Sequence, residues 1–184
     1  MGRPKLLVIG HGRHGKDTAA ALLARGLGLS FVSSSEFAAE HAVFPLVADL
    51  YPDWRAAYAD RAAHRALWHH AIATYNLRPG PMLAEQILAE HDVYVGMRSR
   101  DELDRSRHLF DLVIWVDRSK VLPAEPEASN QLTAADADLV LDNNGDLAAL
   151  EAWVDLLVVL IENRAPSCAG CGACTARDSV QSPA

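Results

Sequence analysis

The stretch from residue 10 to residue 18 has the composition and spacing of a loop that binds phosphate groups. It reads Gly10-His11-Gly12-Arg13-His14-Gly15-Lys16-Asp17-Thr18, so a lysine directly follows the last of three glycines. Glycines allow backbone N–H groups to converge on phosphate oxygens, and the lysine supplies a cation for the outer phosphates. An apolar run precedes the loop and a stretch rich in alanine and leucine follows it. The loop is therefore expected to lie between a strand and the N-terminus of a helix, where the helix adds positive potential.

This context predicts that the loop binds ATP together with magnesium (Mg²⁺). A plain glycine turn between a strand and a helix is the alternative, but it does not explain Lys16 followed by Thr18. The residues predicted to contact the nucleotide are Gly10, Gly12, Arg13, His14, Gly15, Lys16, Asp17 and Thr18.

Charged side chains at the ends of other apolar runs are candidates for phosphoryl-transfer chemistry, which needs mainly positioning and neutralisation of charge. Arg98 follows a run that ends at Gly96, and its guanidinium can clamp a phosphate or an acceptor base. A surface arginine at the start of a helix is the alternative. Asp117 closes the run 112–116 and is either a carboxylate associated with magnesium or the cap of the next turn. We predict Lys16 and Arg98 as catalytic residues and Asp117 as a metal-associated residue.

Two further segments contain candidates for contact with the phosphoryl acceptor. Ser34 and Glu36 follow the second apolar run, Ser34 as a substrate-binding residue and Glu36 as a base for an acceptor hydroxyl, or else as a helix cap. Helical spacing would put Arg61, His64 and Arg65 on one face of a helix. Asp60 would pair with His64, four residues further along. This stripe predicts Arg61 and Arg65 as substrate-binding residues, together with Arg98, and Asp60 as another catalytic base, unless the stripe is only a solvated face.

The elements that must position these residues alternate along the chain and indicate an α/β fold. Apolar runs predict strands over 5–9, 30–33, 92–97, 112–117 and 139–142. Helical patterns cover 16–27, 54–75, 81–90, 100–107 and 146–163. We expect a five-stranded, mostly parallel sheet flanked by helices, of the P-loop NTPase and nucleotide-kinase type, with ligands at the carboxyl ends of the strands.

The length of 184 residues suits one domain, which we expect over residues 1–164. The segment 34–76 is predicted to be a helical insertion that binds the acceptor, with a hairpin that only covers the sheet as the alternative. The loop 117–131, which carries Arg118 and Lys120 among prolines and acids, is predicted to act as a short lid. The turn 142–145 either borders the adenine or simply precedes a helix.

Charge and apolar content limit the partners and the compartment. The formal net charge of −7 argues against a broad basic surface for duplex DNA, although it leaves room for a local basic groove. The chain runs directly into a strand pattern without a secretory signal, and its apolar runs are too short to span a bilayer. We therefore expect a cytoplasmic protein with no membrane partner.

The cysteines lie in a segment, 165–184, that has no hydrophobic periodicity and is predicted to be a flexible tail. Cys168, Cys171 and Cys174 repeat the C-x-x-C spacing. Zinc sites in proteins usually have about four ligands, and no fourth cysteine or nearby histidine is present. Free thiols are the favoured interpretation, and a metal shared with another chain is the alternative.

Several segments resemble a group of small phage kinases, and the likeness covers most of residues 4–160. They are Gly15-Lys16-Asp17-Thr18, Ser33-Ser34-Ser35-Glu36-Phe37-Ala38-Ala39-Glu40, Asp60-Arg61-x-x-His64-Arg65, Val93-Tyr94-Val95-Gly96-Met97-Arg98-Ser99, Ile114-Trp115-Val116-Asp117 and Asp142-Asn143-Asn144-Gly145. The group is similar to phage deoxynucleotide monophosphate kinases and to the 5-hydroxymethyluracil DNA kinases of phages with hypermodified thymine.

The resemblance implies an activity and two residue roles. Thr18 would touch the α-phosphate, and Asp17 would orient a magnesium-bound water, which makes Asp17 a metal-associated residue. The implied reaction moves phosphate from ATP to the hydroxymethyl group of 5-hydroxymethyluracil in phage DNA, in the cytoplasm of the host, as a step in thymine hypermodification.

Two alternatives to this reaction stay open. One is a deoxynucleoside monophosphate kinase, which a lid poor in arginine disfavours; the acidic net charge disfavours the DNA kinase. The other is a nucleotide-binding ATPase module without kinase activity. The acceptor is therefore expected to be either DNA that contains 5-hydroxymethyluracil or a free deoxynucleoside monophosphate.

Removal of residues 166–184 is expected to leave the melting temperature and the catalytic activity almost unchanged, because this segment carries no core pattern. Thermal unfolding and metal analysis of the full and the truncated chain test this expectation. Stoichiometric zinc or iron that disappears with the truncation would contradict the interpretation of the cysteines as free thiols.

Overall fold

The structure, a computed structural model, describes residues 3–163, so the cysteine segment 165–184 lies outside the described residues. The strands are β1 (Leu6–Ile9), β2 (Phe31–Ser33), β3 (Val93–Val95), β4 (Leu112–Asp117) and β5 (Leu139–Asp142). The helices are α1 (Lys16–Leu27), α2 (Ser34–Ala38), α3 (Phe44–Val47), α4 (Trp54–Ala59), α5 (Arg65–Leu77), α6 (Leu83–Glu90), α7 (Arg100–Ser106) and α8 (Leu147–Glu162). A π-helical turn, Ala39–Val43, joins α2 to α3, and 3₁₀ turns cover Arg107–Leu109 and Ala134–Asp136.

The five strands form one sheet in the order β2-β3-β1-β4-β5, and every pair of neighbours is parallel. β1 is the central strand, with Leu6 in register with Val93 on one side and with Leu112 on the other. The predicted α/β class is confirmed, and the sheet is parallel throughout rather than mostly parallel. With the glycine loop between the central strand and α1, this is the P-loop NTPase fold, in which the loops after the strands meet at one edge.

Successive residues of β1 pack into two separate hydrophobic layers. Leu7 and Ile9 belong to the layer that includes α2, α6 and α7. Leu6 and Val8 belong to the layer formed with α1 and α8. Because both faces of the sheet are covered, the strand needs apolar residues at every position, which explains the unbroken apolar run in the sequence.

The segment between β2 and β3 has a small hydrophobic cluster of its own. Its buried members are Ala39, Val43, Val47, Ala57, Trp68 and Ala71. The cluster draws on the π-helical turn, α3, α4 and α5, and so these short elements pack against one another as well as beside the sheet.

The prediction of one continuous helix over 54–75 is wrong. α4 ends at Ala59, a turn covers 60–64, and α5 begins at Arg65. In this turn the N–H groups of Arg61 and His64 bond carbonyls three residues back, which interrupts the α-helical pattern. The stripe of Arg61, His64 and Arg65 on one helical face therefore does not form. The predicted contact of Asp60 with His64 is confirmed, at 3.1 Å.

Helix α8 is apolar on both its inner and its outer side. Leu150 and Val154 are buried against the sheet, whereas Trp153, Leu156 and Leu160 on the outer side are exposed. Within residues 3–163, no helix combines the length and the apolar character that crossing a membrane requires.

Replacing Gly10 with alanine is expected to destabilise the fold strongly. Gly10 has a φ of +146°, and a Cβ at this position would lie 2.6 Å from the carbonyl oxygen of Val116. We expect Gly10→Ala to lower the free energy of unfolding by about 3 kcal/mol, since strained backbone and steric overlap add.

Gly28→Ala is the matched control, because Gly28 has a φ of +64° but no atom within 4 Å of the added Cβ. Its expected cost is about 1 kcal/mol, from the left-handed backbone alone. Urea denaturation of both variants measures the difference. Equal losses would show that the contact with Val116 contributes nothing.

Candidate nucleotide-binding site

The glycine loop wraps around the side chain of Lys16, the first residue of α1. Gly15 and Arg13 both have left-handed backbone, with φ values of 88° and 63°. Lys16 is only 7% exposed, and its Nζ donates a hydrogen bond to the carbonyl oxygen of His11 at 2.6 Å. Burial, and then the neighbouring charge of Arg98, lower the pKa of Lys16 to about 8. The loop therefore surrounds a buried ammonium group, and an anion bound nearby would stabilise the charged form of Lys16.

The loops that follow β4 and β5 hold the glycine loop from one side. The side-chain amide of Asn143 donates to the carbonyl oxygen of His14 at 2.8 Å. The guanidinium of Arg118 donates to the carbonyl oxygen of Asn143 at 2.9 Å, and its backbone N–H donates to Nδ1 of His14 at 3.2 Å. This side of the glycine loop is thus fixed by hydrogen bonds from the residues that follow two strands, β4 and β5.

A cavity of about 250 Å³ opens on the same side of the loop. Its lining residues are Arg13, Gly15, Thr18, Arg118, Asn143, Gly145, Asp146, Leu147 and Leu150. Ligand sites typically occupy about 300–1,000 Å³, so this cavity is small for a whole nucleotide. The turn 142–145 lines it through Asn143 and Gly145, and whether this turn borders the adenine stays a prediction.

On the opposite side, the predicted lid loop inserts a carboxylate against the glycine loop. Oε2 of Glu125 accepts a hydrogen bond from the Gly12 N–H at 2.5 Å and another from Arg98 at 2.9 Å. The guanidinium of Arg65 lies 3.9 Å from Oε1. Burial opposes ionisation of Glu125, but the charge of Arg98 and the Gly12 N–H outweigh it and hold the pKa of this carboxyl below its usual range. Arg65 and Arg98, both predicted from sequence, are thereby brought to the glycine loop.

The ends of β2 and β3 form the wall next to Arg98. Gly96 has a φ of 96°, and a Cβ on it would lie 3.1 Å from the hydroxyl oxygen of Ser34. The N–H of Gly96 donates to the carbonyl oxygen of Val8 in the central strand at 2.9 Å. Ser34 thus lies beside Gly96, two positions before Arg98, whereas Glu36 is exposed in the first turn of α2.

Asp60 and Arg61 make their contacts within the insertion. The Tyr51 hydroxyl donates to Asp60 at 2.7 Å and, with the nearby His64, holds the pKa of Asp60 below its usual value. The guanidinium of Arg61 lies 4.0 Å from the centre of the Tyr58 ring. A carboxylate with a lowered pKa is a weaker base, so this geometry adds no support to Asp60 as the catalytic base.

The predicted metal residues differ in their surroundings. Both oxygens of Asp117 accept hydrogen bonds, from Ser119 and from Asn144, which is the turn-capping arrangement. Asp17 is exposed in the first turn of α1, beside Thr18. Over residues 3–163, no group of three or more histidine, cysteine or acidic side chains is placed to hold a metal. Magnesium bound with a nucleotide is held largely by phosphates and water and needs few protein ligands, so the assignment of Asp17 stays a prediction.

Sequence reasoning missed two residues that contact the loop, Glu125 and Asn130. Asn130 is buried, and its side-chain amide donates to the carbonyl oxygen of Gly10 at 3.4 Å. The only signal for either residue was that both fall in the segment predicted to close over the site. A negatively charged carboxylate is not expected beside a loop that binds negatively charged phosphate, so only the structure reveals this contact.

The sequence matches no protein-family model and no curated protein. Among solved structures, shikimate kinase from Bacteroides thetaiotaomicron is 12% identical over 86% of this chain and 98% of its own, with a TM-score of 0.49. Shikimate kinase from Aquifex aeolicus is 14% identical over 86% and 96%, with a TM-score of 0.48. A gluconokinase from Sinorhizobium meliloti is 14% identical over 87% and 96%, with a TM-score of 0.42. At these values the fold assignment depends on the strand order and the glycine loop described above.

The affinity for a nucleoside triphosphate is expected to fall as the pH rises above about 8. The pKa of Lys16 is lowered to about 8, so the free protein loses this ammonium at higher pH. A bound polyanion favours the charged form, so binding above pH 8 takes up a proton, and the dissociation constant rises by up to about tenfold per pH unit. Titration calorimetry between pH 7.5 and 9.5 measures this, with Lys16→Arg, which stays charged, as the control. The same pH dependence in the arginine variant would exclude Lys16 as its source.

Proposed function

We propose that this chain is an ATP-dependent kinase that transfers the terminal phosphoryl group of ATP to a small nucleotide-type acceptor. The observation that carries the proposal is that the glycine loop and Arg98 together bind the carboxylate of Glu125. This carboxylate receives a backbone N–H from Gly12 and a guanidinium N–H from Arg98, at 2.5 and 2.9 Å. These are the donors that bind phosphate oxygens in proteins, and charge-assisted hydrogen bonds of this kind are strong.

The residues around the loop support a division of roles in this reaction. The cavity beside Arg118 would take the base and sugar, and the N-terminus of α1 would take the phosphates. Asp17 and Thr18 would lie beside a magnesium ion bound with the nucleotide, which would neutralise charge on the phosphoryl oxygens. Lys16 and Arg98 would stabilise the charge that develops on the transferred group.

The surroundings of Arg98 favour a small acceptor with few charges. Arg65 is 76% exposed and shares Glu125 with Arg98. Other arginines of this region are engaged in ion pairs: Arg100 with Asp136, Arg105 with Asp101 and Arg107 with Asp138. A deoxynucleoside monophosphate needs only one or two cations, whereas a DNA strand needs a row of phosphate contacts.

A second candidate is phosphorylation of 5-hydroxymethyluracil in DNA, which the sequence resemblance supports. One structural observation favours it: the guanidiniums of Arg55 and Arg61 lie over the rings of Trp54 and Tyr58, at 4.3 and 4.0 Å, on the exposed side of the insertion. Arginine held on an aromatic ring is suited to contact with a nucleic-acid backbone or base. The target nucleotide would have to be flipped out of the duplex or presented in a single strand.

An assay with ATP radiolabelled in the γ-phosphate separates the candidates. The acceptors are the deoxynucleoside monophosphates, 5-hydroxymethyl-dUMP, and DNA with and without 5-hydroxymethyluracil. Label on free monophosphates alone, with a shallow salt dependence, is the expected result. Label on hydroxymethylated DNA that falls steeply with salt would support the second candidate, since phosphate contacts release counterions. Release of labelled phosphate without any acceptor would indicate an ATPase module instead.

Lys16→Ala and Lys16→Met are expected to lower phosphoryl transfer by about a hundredfold or more, because each removes the cation next to the phosphates. The methionine variant keeps most of the buried stem and so protects the fold. Arg25→Ala, an exposed position in the last turn of the same helix, is the control and should keep full activity. Circular dichroism and melting curves verify folding. A folded Lys16 variant with undiminished transfer would overturn the catalytic role of this lysine.

A further inference from the structure

We infer that Glu125 is a built-in competitor of the nucleotide: its carboxylate occupies the position of the terminal phosphoryl group and has to leave before ATP binds fully. The inference rests on the proposed function, because it takes the glycine loop to be the triphosphate site. It gives the lid loop a specific task, which is to hold an anion of its own against the glycine loop until the nucleotide binds.

The contacts of Glu125 are those of a bound anion. Its carboxylate accepts from the Gly12 N–H and from Arg98, and its own backbone N–H donates to Nδ1 of His11 at 3.2 Å. The side chain is only 16% exposed. A Cβ added to Gly12 would lie 2.6 Å from Oε1 of Glu125. The carboxylate is therefore packed directly on the loop backbone, in space that a phosphate oxygen would need.

The place of Glu125 along the loop identifies the phosphate with which it competes. The cavity proposed for the base and sugar is lined by Arg13, Thr18 and Arg118, and neither Gly12 nor Glu125 is among its lining residues. A triphosphate that starts there and crosses the N-terminus of α1 arrives last at Gly12. Glu125 therefore stands where the outermost phosphate ends, whereas the inner phosphates lie on the part of the loop next to α1.

The charges around Glu125 explain why the closed arrangement is stable without a ligand. Lys16 and Arg98 repel each other, and the negative charge of Glu125 favours the charged form of Lys16. Arg98 in turn favours the ionised form of Glu125. When ATP arrives, the terminal phosphoryl group takes over the same partners. Arg98 and Arg65 then contact the group that is transferred, and the lid loop is released from Gly12.

Competition of this kind weakens the apparent affinity by the fraction of molecules in which the site is closed. Glu125→Gln removes the charge and keeps the shape, and Glu125→Ala removes the whole group. Hydrogen bonds to charged groups contribute enough that either change should tighten ATP binding by about tenfold. ADP lacks the terminal phosphoryl group, so its affinity should change by less than about twofold.

The experiment is titration calorimetry with ADP and with the β,γ-imido analogue of ATP, in the presence of magnesium. The chains are the wild type, Glu125→Gln, Glu125→Ala and the control Glu127→Gln, an exposed glutamate of the same loop. Melting curves establish that each variant is folded. Tighter binding of the ATP analogue alone, in both Glu125 variants and not in the control, is the expected result.

Two results would overturn the inference while leaving the proposed function intact. One is wild-type binding of the ATP analogue with no gain in either Glu125 variant. The other is an equal gain for ADP, which would assign Glu125 to an inner phosphate. If no chain binds either nucleotide, the proposed function itself fails and the inference fails with it.

Discussion

A buried ammonium at the N-terminus of a helix favours an anion nearby, and the organisation of the site follows from this preference. Lys16 is almost inaccessible and lies at the positive end of α1. Arg98 adds a second positive charge nearby. The carboxylate of Glu125 supplies negative charge beside both cations, and under the proposed function a nucleotide would supply the same charge. Since transfer of an unpaired charge out of water is costly, an anion at this position also contributes to the stability of the fold.

The parallel sheet makes such a site possible because it brings the loops after all five strands to one edge. The two sides of that edge are built differently. After β4 and β5, Arg118 and Asn143 bond to one another and to the glycine loop. After β2 and β3, Arg98 instead bonds Glu125 and the carbonyl oxygen of Ser129, both in the loop that follows β4. Under the proposed function, the first side would hold the nucleotide and the second would meet the acceptor, since loops on a rigid scaffold commonly carry the binding residues.

The helical insertion between β2 and β3 is the segment that we propose contacts the phosphoryl acceptor. It has a separate hydrophobic cluster, centred on Trp68 and Val43, and so its outer surface can change without disturbing the sheet. That surface carries arginines that lie over aromatic rings, which suits a nucleic acid, whereas its inner end brings only Arg65 to the loop. Under the two proposals, the acceptors would contact different faces of the insertion. The fold does not distinguish between the two acceptors, because substrate specificity depends on the residues of the site and not on the fold that carries them.

The sequence by itself determined the sheet and the glycine loop, because both depend on local patterns. Unbroken apolar runs predicted strands that match β4 and β5, and the spacing from Gly10 to Lys16 predicted the loop. Tertiary structure was needed to reveal the break between α4 and α5, where the turn at Asp60 overrides helical periodicity. It alone also decided the place of Glu125, which lies 113 positions from its partner Gly12. Contacts between residues so distant in sequence leave no periodicity or spacing, and a carboxylate at a phosphate site opposes the charge pattern from which the site was predicted.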